Sequence, residues 1–210
     1  MNSPYFDFVQ SLRPRWPAVG HLVKYMRSNS HHSSRIAVLN FENGGVRLNG
    51  LFEVVDDFPP LLNENPNKMA SRLVIVEDPS VQVIEFLGNH FDIDPEFFSM
   101  HVVNHHWYGL RSGRETIPSS KATIREGSFL RFRYLTARPT RERKPSEEDK
   151  TWDKTWYKTA MTTKVNVKRK VTVMKLKSVE RHLIGFLRQH LSVWMRKVGD
   201  DHWLGIAISF

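Results

Sequence analysis

Residues 71–102 read SRLVIVEDPSVQVIEFLGNHFDIDPEFFSMHV, and the punctuation of this stretch decides the fold class. Ser71 to Glu77 is a short run rich in Val, Ile and Leu, the pattern of a buried strand. Asp78-Pro79-Ser80 stops it. Asp78 is a natural helix cap with Pro79 at the first helical position, so a helix follows, with Val81, Ile84, Phe86, Leu87 and Phe91 on its apolar side. Asp94 then caps a second helix, predicted over Pro95 to His105. A buried strand alternating with amphipathic helices predicts an α/β fold, a mixed sheet layered with helices in α/β/α order, with α+β as the alternative.

The flanks extend this body. Upstream, Ser3-Pro4 opens a short helix to Leu12, Pro17 to Arg27 gives a second, and Arg35 to Glu42 is a buried strand. Asn43-Gly44-Gly45 is a turn signal, so Val46 to Val55 returns as strand, and the proline-rich Asp56 to Lys68 is loop. Downstream, Phe129 to Leu135 alternates Leu130, Phe132 and Tyr134 with Arg131 and Arg133, the mark of a strand. Val165 to Lys177 alternates valines with basic residues and is predicted as a half-exposed strand. Ser178 to Lys197 is predicted as an amphipathic helix, and Trp203 to Phe210 as a closing strand. The whole is expected to be one domain over 1–210, with 1–34 a helical extension and 136–160 a charged surface loop.

Composition narrows the functional classes. The 210 residues include no cysteine, which excludes disulfides, thiolate metal sites and cysteine nucleophiles and points to a cytoplasmic setting. No window approaches the roughly 18 consecutive apolar residues of a membrane helix, so no transmembrane segment is expected. Charge is divided unequally. Residues 1–110 hold 8 Lys and Arg against 12 Asp and Glu, a net of −4, while residues 111–210 hold 23 against 10, a net of +13. A basic half of that size implies an anionic partner, either nucleic acid or an acidic membrane surface. Lys164, Lys168, Arg169, Lys170, Lys175 and Lys177, with Arg131 and Arg133, are the candidate polyanion-binding residues. Trp152, Trp156 and Tyr157 nearby would supply stacking rings for single-stranded nucleic acid.

Catalytic signatures are sparse. There is no glycine-rich phosphate loop and no nucleophile elbow. Glu77-Asp78 ends the best strand, where open α/β sheets place ligand groups. His101 and His105 are four apart on a predicted helix and could face one metal, but the glutamate of the zinc-protease motif is missing from His-Val-Val-Asn-His. An enzyme would need a pocket drawing on His101, His105, Glu77 or Arg131.

One resemblance adds to this reading. The segment 72–102, with the link His90-Phe91-Asp92-Ile93-Asp94-Pro95 continued by Glu96-Phe97-Phe98, resembles the cytosolic part of fungal CorA-like magnesium transporters. GSFLRFRYL (127–135) and LSVWMRK…HWLGIAI (191–208) look like later parts of the same region. The resemblance implies a non-catalytic regulatory or interaction domain, a homo-oligomer and a weak Mg²⁺ site, for which Asp92, Asp94 and Glu96 are the candidate oxygen ligands. The long stalk helix, paired membrane helices and Gly-Met-Asn pore signature of the transporters are absent from this sequence. The expectation is therefore the regulatory part without a pore.

Overall fold

A computed structural model describes residues 3–28, 33–42, 44–53, 71–102, 128–140, 157–161, 170–175, 183–198 and 201–209. The elements run α1 (Pro4–Leu12), a 3-10 turn (Pro17–Val19), α2 (Gly20–Met26), β1 (Arg35–Glu42), β2 (Gly45–Phe52), β3 (Ser71–Glu77), α3 (Val81–Phe91), α4 (Pro95–Val102), β4 (Ser128–Thr140), β5 (Tyr157–Met161), β6 (Lys170–Lys175), β7 (Leu183–Val198) and β8 (His202–Ser209). The fold is α/β, with all eight strands in one mixed sheet ordered β2-β1-β3-β8-β7-β6-β5 and β4 also on β7. Among the described strands only β3 and β8 pair in parallel. Among the described residues no helix is long and apolar enough to cross a membrane.

Register explains which side chains form the core. Side chains alternate across a strand, so residues aligned across the ladder share a face. One aligned row is Ile36, Val76, Ile208 and Ser192, and the next is Val38, Val74, Ile206 and Trp194. These residues are buried, and the apolar ones join Val9, Leu22, Val23, Ile84, Leu87, Phe97 and Phe98 of the helices in a single cluster. The described helices therefore pack on this inner face. The expected second helical layer is not found among the described residues.

β7 organises the sheet. Ser128 to Thr140 pairs with Met195 to Leu183 along one edge. The other edge is divided: Ser192 to Val198 pairs with β8, and Leu183 to Leu187 pairs with β6. Six strands (β2-β1-β3-β8-β7-β4) form the body, and β5-β6 continue it as an arm beside the first half of β7.

Several sequence expectations are corrected here. Ser178 to Lys197 is not a helix where it is described; Leu183 to Val198 is strand. Its leucines fall at helical spacing, but pairing on both edges overrides that local pattern. The expected loop 136–160 is strand at both ends, because β4 continues to Thr140 and β5 starts at Tyr157, while 141–156 lie outside the described residues. The cap of α3 is Ser80, whose Oγ accepts from the Val83 amide, rather than Asp78. Asp78 instead takes a left-handed conformation (φ 53°), which Asp tolerates better than most side chains.

Candidate functional site

Three places in the fold gather the polar residues singled out by sequence. The first is the turn after β3. Glu77 is ion-paired with Arg35. The Asp78 amide donates to the Ser209 carbonyl (3.0 Å), and the Asp78 carbonyl accepts from Ser34 Oγ (3.1 Å). Ser34 Oγ also accepts from the Ser80 amide (2.7 Å), and the Tyr25 hydroxyl donates to the Pro79 carbonyl (2.5 Å). The polar groups at this strand end thus tie α2, β1, β8 and α3 together, which is structural work.

The second place is the link between α3 and α4. Asp92 takes the left-handed position (φ 52°) that closes α3. Asp94 Oδ1 accepts from the Glu96 amide (2.8 Å), so Asp94 caps α4 as the sequence predicts. Burial, and after it the Asp94 charge, raises the Glu96 carboxyl above its ordinary range. Burial also pushes the Tyr5 phenol upward, with Asp94 and Asp92 adding to it. The three carboxylates create a local negative potential, yet among the described residues no group of three metal-ligating side chains is placed to hold an ion.

The sign of the Glu96 effect follows from linkage. A carboxyl raised in the folded state adds stability below its unfolded value, and that contribution is lost as pH rises through the folded value. Glu96→Gln removes the charge, so we expect it to raise the thermal midpoint near pH 7 by roughly 1–3 °C, a modest gain because the group is partly solvated. The gain should shrink as pH falls toward about 4.3, the unperturbed glutamate value. Melting curves of both proteins across that range check it.

The third place is the inner face where α4 meets β7 and β4. His101 is fully buried, and its Nδ1 lies 3.0 Å from Ser192 Oγ. His190, also buried, has Nδ1 2.8 Å from an Arg131 guanidinium nitrogen. Arginine only donates, so His190 is the acceptor of this contact, and its Nε2 lies 3.3 Å from the same guanidinium nitrogen. Around this polar file, Phe97 packs on Phe129 (5.9 Å between centroids) and Phe91 on Trp194 (6.4 Å). Arg196 covers Trp194 and donates to the Phe91 carbonyl (3.2 Å), satisfying the end of α3. Such a buried network positions α4 on the sheet.

The sequence-derived sets are therefore split. His101 does not share a described metal site, and His105 lies outside the described residues. Of the cationic set, Arg131 faces the helices, and Arg133 is in register with His190. Lys170 and Lys175 end β6. Lys164, Lys168, Arg169 and Lys177 lie outside the described residues, as do Trp152 and Trp156. His190 and Ser192 escape a reading from sequence because the local pattern of 178–197 is that of a helix, whereas Leu183–Val198 is strand. The available signal was Gly199-Asp200-Asp201 followed by an apolar strand, a hairpin pattern.

A different surface emerges on the outer face. One aligned row across the six body strands is Leu51, Ala37, Ile75, Ala207, Val193 and Leu130, entirely apolar. The next is Leu48, Leu39, Leu73, Gly205 and Met195. Beside them lie Val46, Phe41 and then polar Ser71, with Phe41 against Trp203 (5.1 Å), and, at the β4 edge, Leu191 and Phe132. Leu51 is 73% exposed, Leu130 60% and Phe132 52%. Antiparallel sheets that leave one face to water normally alternate polar residues onto it; the central rows of this face do not. No family model matches the sequence, and no curated protein matches it either.

Proposed function

We propose that this protein acts by docking rather than by catalysis, and that the outer face of the sheet is its working surface. The observation that carries the proposal is the uninterrupted apolar row from Leu51 on β2 to Leu130 on β4, exposed at both ends. Exposed contiguous apolar surface of more than a few hundred Å² marks an interaction site on a soluble protein. The polar residues that could have served chemistry are engaged in holding the fold: Glu77 with Arg35, Asp94 as a cap, and His101 with Ser192. The reading agrees with a regulatory or interaction domain of the CorA-like kind. Residues 71–102, which carry that resemblance, fold as strand, helix and helix against the sheet.

A docking face and a core respond differently to charge. Leu130→Glu and Phe132→Glu, assayed at about 1 µM chain, should leave the thermal midpoint within roughly 2 °C of the parent, since surface changes cost about 0.5 kcal/mol or less. A loss beyond roughly 6 °C would assign these residues to the core and overturn the proposal.

A further inference from the structure

Resting on that reading, we infer that the occupant of the outer face is a second copy of this chain, the two sheets stacked face to face about a two-fold axis. The area is suitable. Val46, Leu48, Leu51, Leu130, Phe132, Tyr134 and Met195 are all exposed at outward positions. Taking about 180 Å² for each fully exposed large side chain, they present roughly 700 Å². A standard interface buries about 800 Å² per partner, and the half-buried residues between the two ends add to the total.

Charge selects the occupant. The chain carries a net +9, so self-association through an ordinary face would meet repulsion. The outer face is the exception. Outward positions of the described body strands carry charge only away from the central rows, at Arg35 and Glu77, which pair with each other, at Lys197, and at Arg138 farther along β4. In a two-fold arrangement the same patch meets itself, so apolar rows face apolar rows and the charged positions stay at the rim. Edge-to-edge pairing through β4 is disfavoured, since that strand carries Arg131, Arg133 and Arg138 and would bring like charges together across the join. Nucleic acid or an acidic membrane would seek a cluster of cations, and the central apolar rows of this face hold none. Twisted sheets stack about 10 Å apart with interdigitated side chains, a geometry available to the bulky residues at both ends of the face.

Sedimentation velocity and light scattering on the whole chain, from about 1 to 100 µM, test this. The expected species at high concentration has twice the 24.6 kDa chain mass. Raising NaCl from about 50 to 500 mM should tighten the dimer, because salt screens the repulsion between the cationic remainders. Leu130→Glu and, at the opposite end of the face, Leu51→Glu should each weaken dimerisation at least tenfold with unchanged circular dichroism. A chain that stays monomeric at 100 µM, or a dimer indifferent to both substitutions, overturns the second copy as occupant. If the chain is monomeric while both variants keep the parental thermal midpoint, the docking face stands and another partner occupies it. If both variants also unfold at 1 µM, the face is core and the two readings fail together.

Discussion

Phe97→Ala is expected to destabilise the protein by about 3–5 kcal/mol, the range for removing a fully buried aromatic ring. Phe97 has no exposed surface and stands where α4 meets the sheet. Its ring packs edge-on against Phe98 (5.1 Å) and Phe129 of β4 (5.9 Å). Truncation leaves a void with polar His101 and Ser192 close by along α4 and β7, so the surroundings cannot simply close over it. For a chain of this length the thermal midpoint should fall by roughly 8–16 °C. Phe86 is the internal comparison. It lies half-buried on α3, stacked on exposed His90, and its truncation should cost well under half as much. Equal losses for the two substitutions would show that α4 does not seat through Phe97.

Gly88→Ala should destabilise by about 1–3 kcal/mol, against the usual trend for helices. Replacing an interior helical glycine by alanine ordinarily gains about 1 kcal/mol from propensity. Here the Tyr5 ring of α1 lies flat against Gly88, and an added Cβ would overlap three of its ring atoms. Tyr5 cannot shift without loss, because its hydroxyl donates to the Ile93 carbonyl (2.8 Å) and its ring meets Phe98 edge-on (6.0 Å). The steric term outweighs propensity. Urea titrations of Gly88→Ala, Tyr5→Ala and the double variant resolve the coupling. In the Tyr5→Ala background the alanine should be neutral or stabilising, and independent, additive effects would refute the close approach.

The readable parts of this sequence were those with strong local grammar. Arg35 to Glu42 and Ser71 to Glu77 are strands with the bounds expected, since each is a short apolar run ended by turn residues. Pro4 and Pro95 open helices as their restricted backbone favours. Asp78 and Ser80 are both good caps by sequence, and contacts with Ser34 and Ser209 help hold Asp78 in its left-handed position. β7 carries a helical local pattern, and the β4 partner that overrides it is distant in the chain: Thr140 meets Leu183 and Ser128 meets Met195. The inner polar file of His101, Ser192, His190 and Arg131 could not be seen from spacing, since it joins residues up to 91 positions apart. The outer face was equally hidden. Its apolar row takes one residue from each strand, and it becomes continuous only once the register is known.

That β7 serves both the body and the arm makes it a rigid transmission rod. Within β7, Leu183 to Met195 is gripped by β4 on one side, and on the other Leu183 to Leu187 by β6 and Ser192 to Val198 by β8. Sliding it by a single residue would turn Trp194 and Ser192 outward and bring Val193 and Met195 in, so intermediate positions are forbidden. A pull exerted on β6 therefore either leaves the seat of α4 undisturbed or dislodges it as a unit.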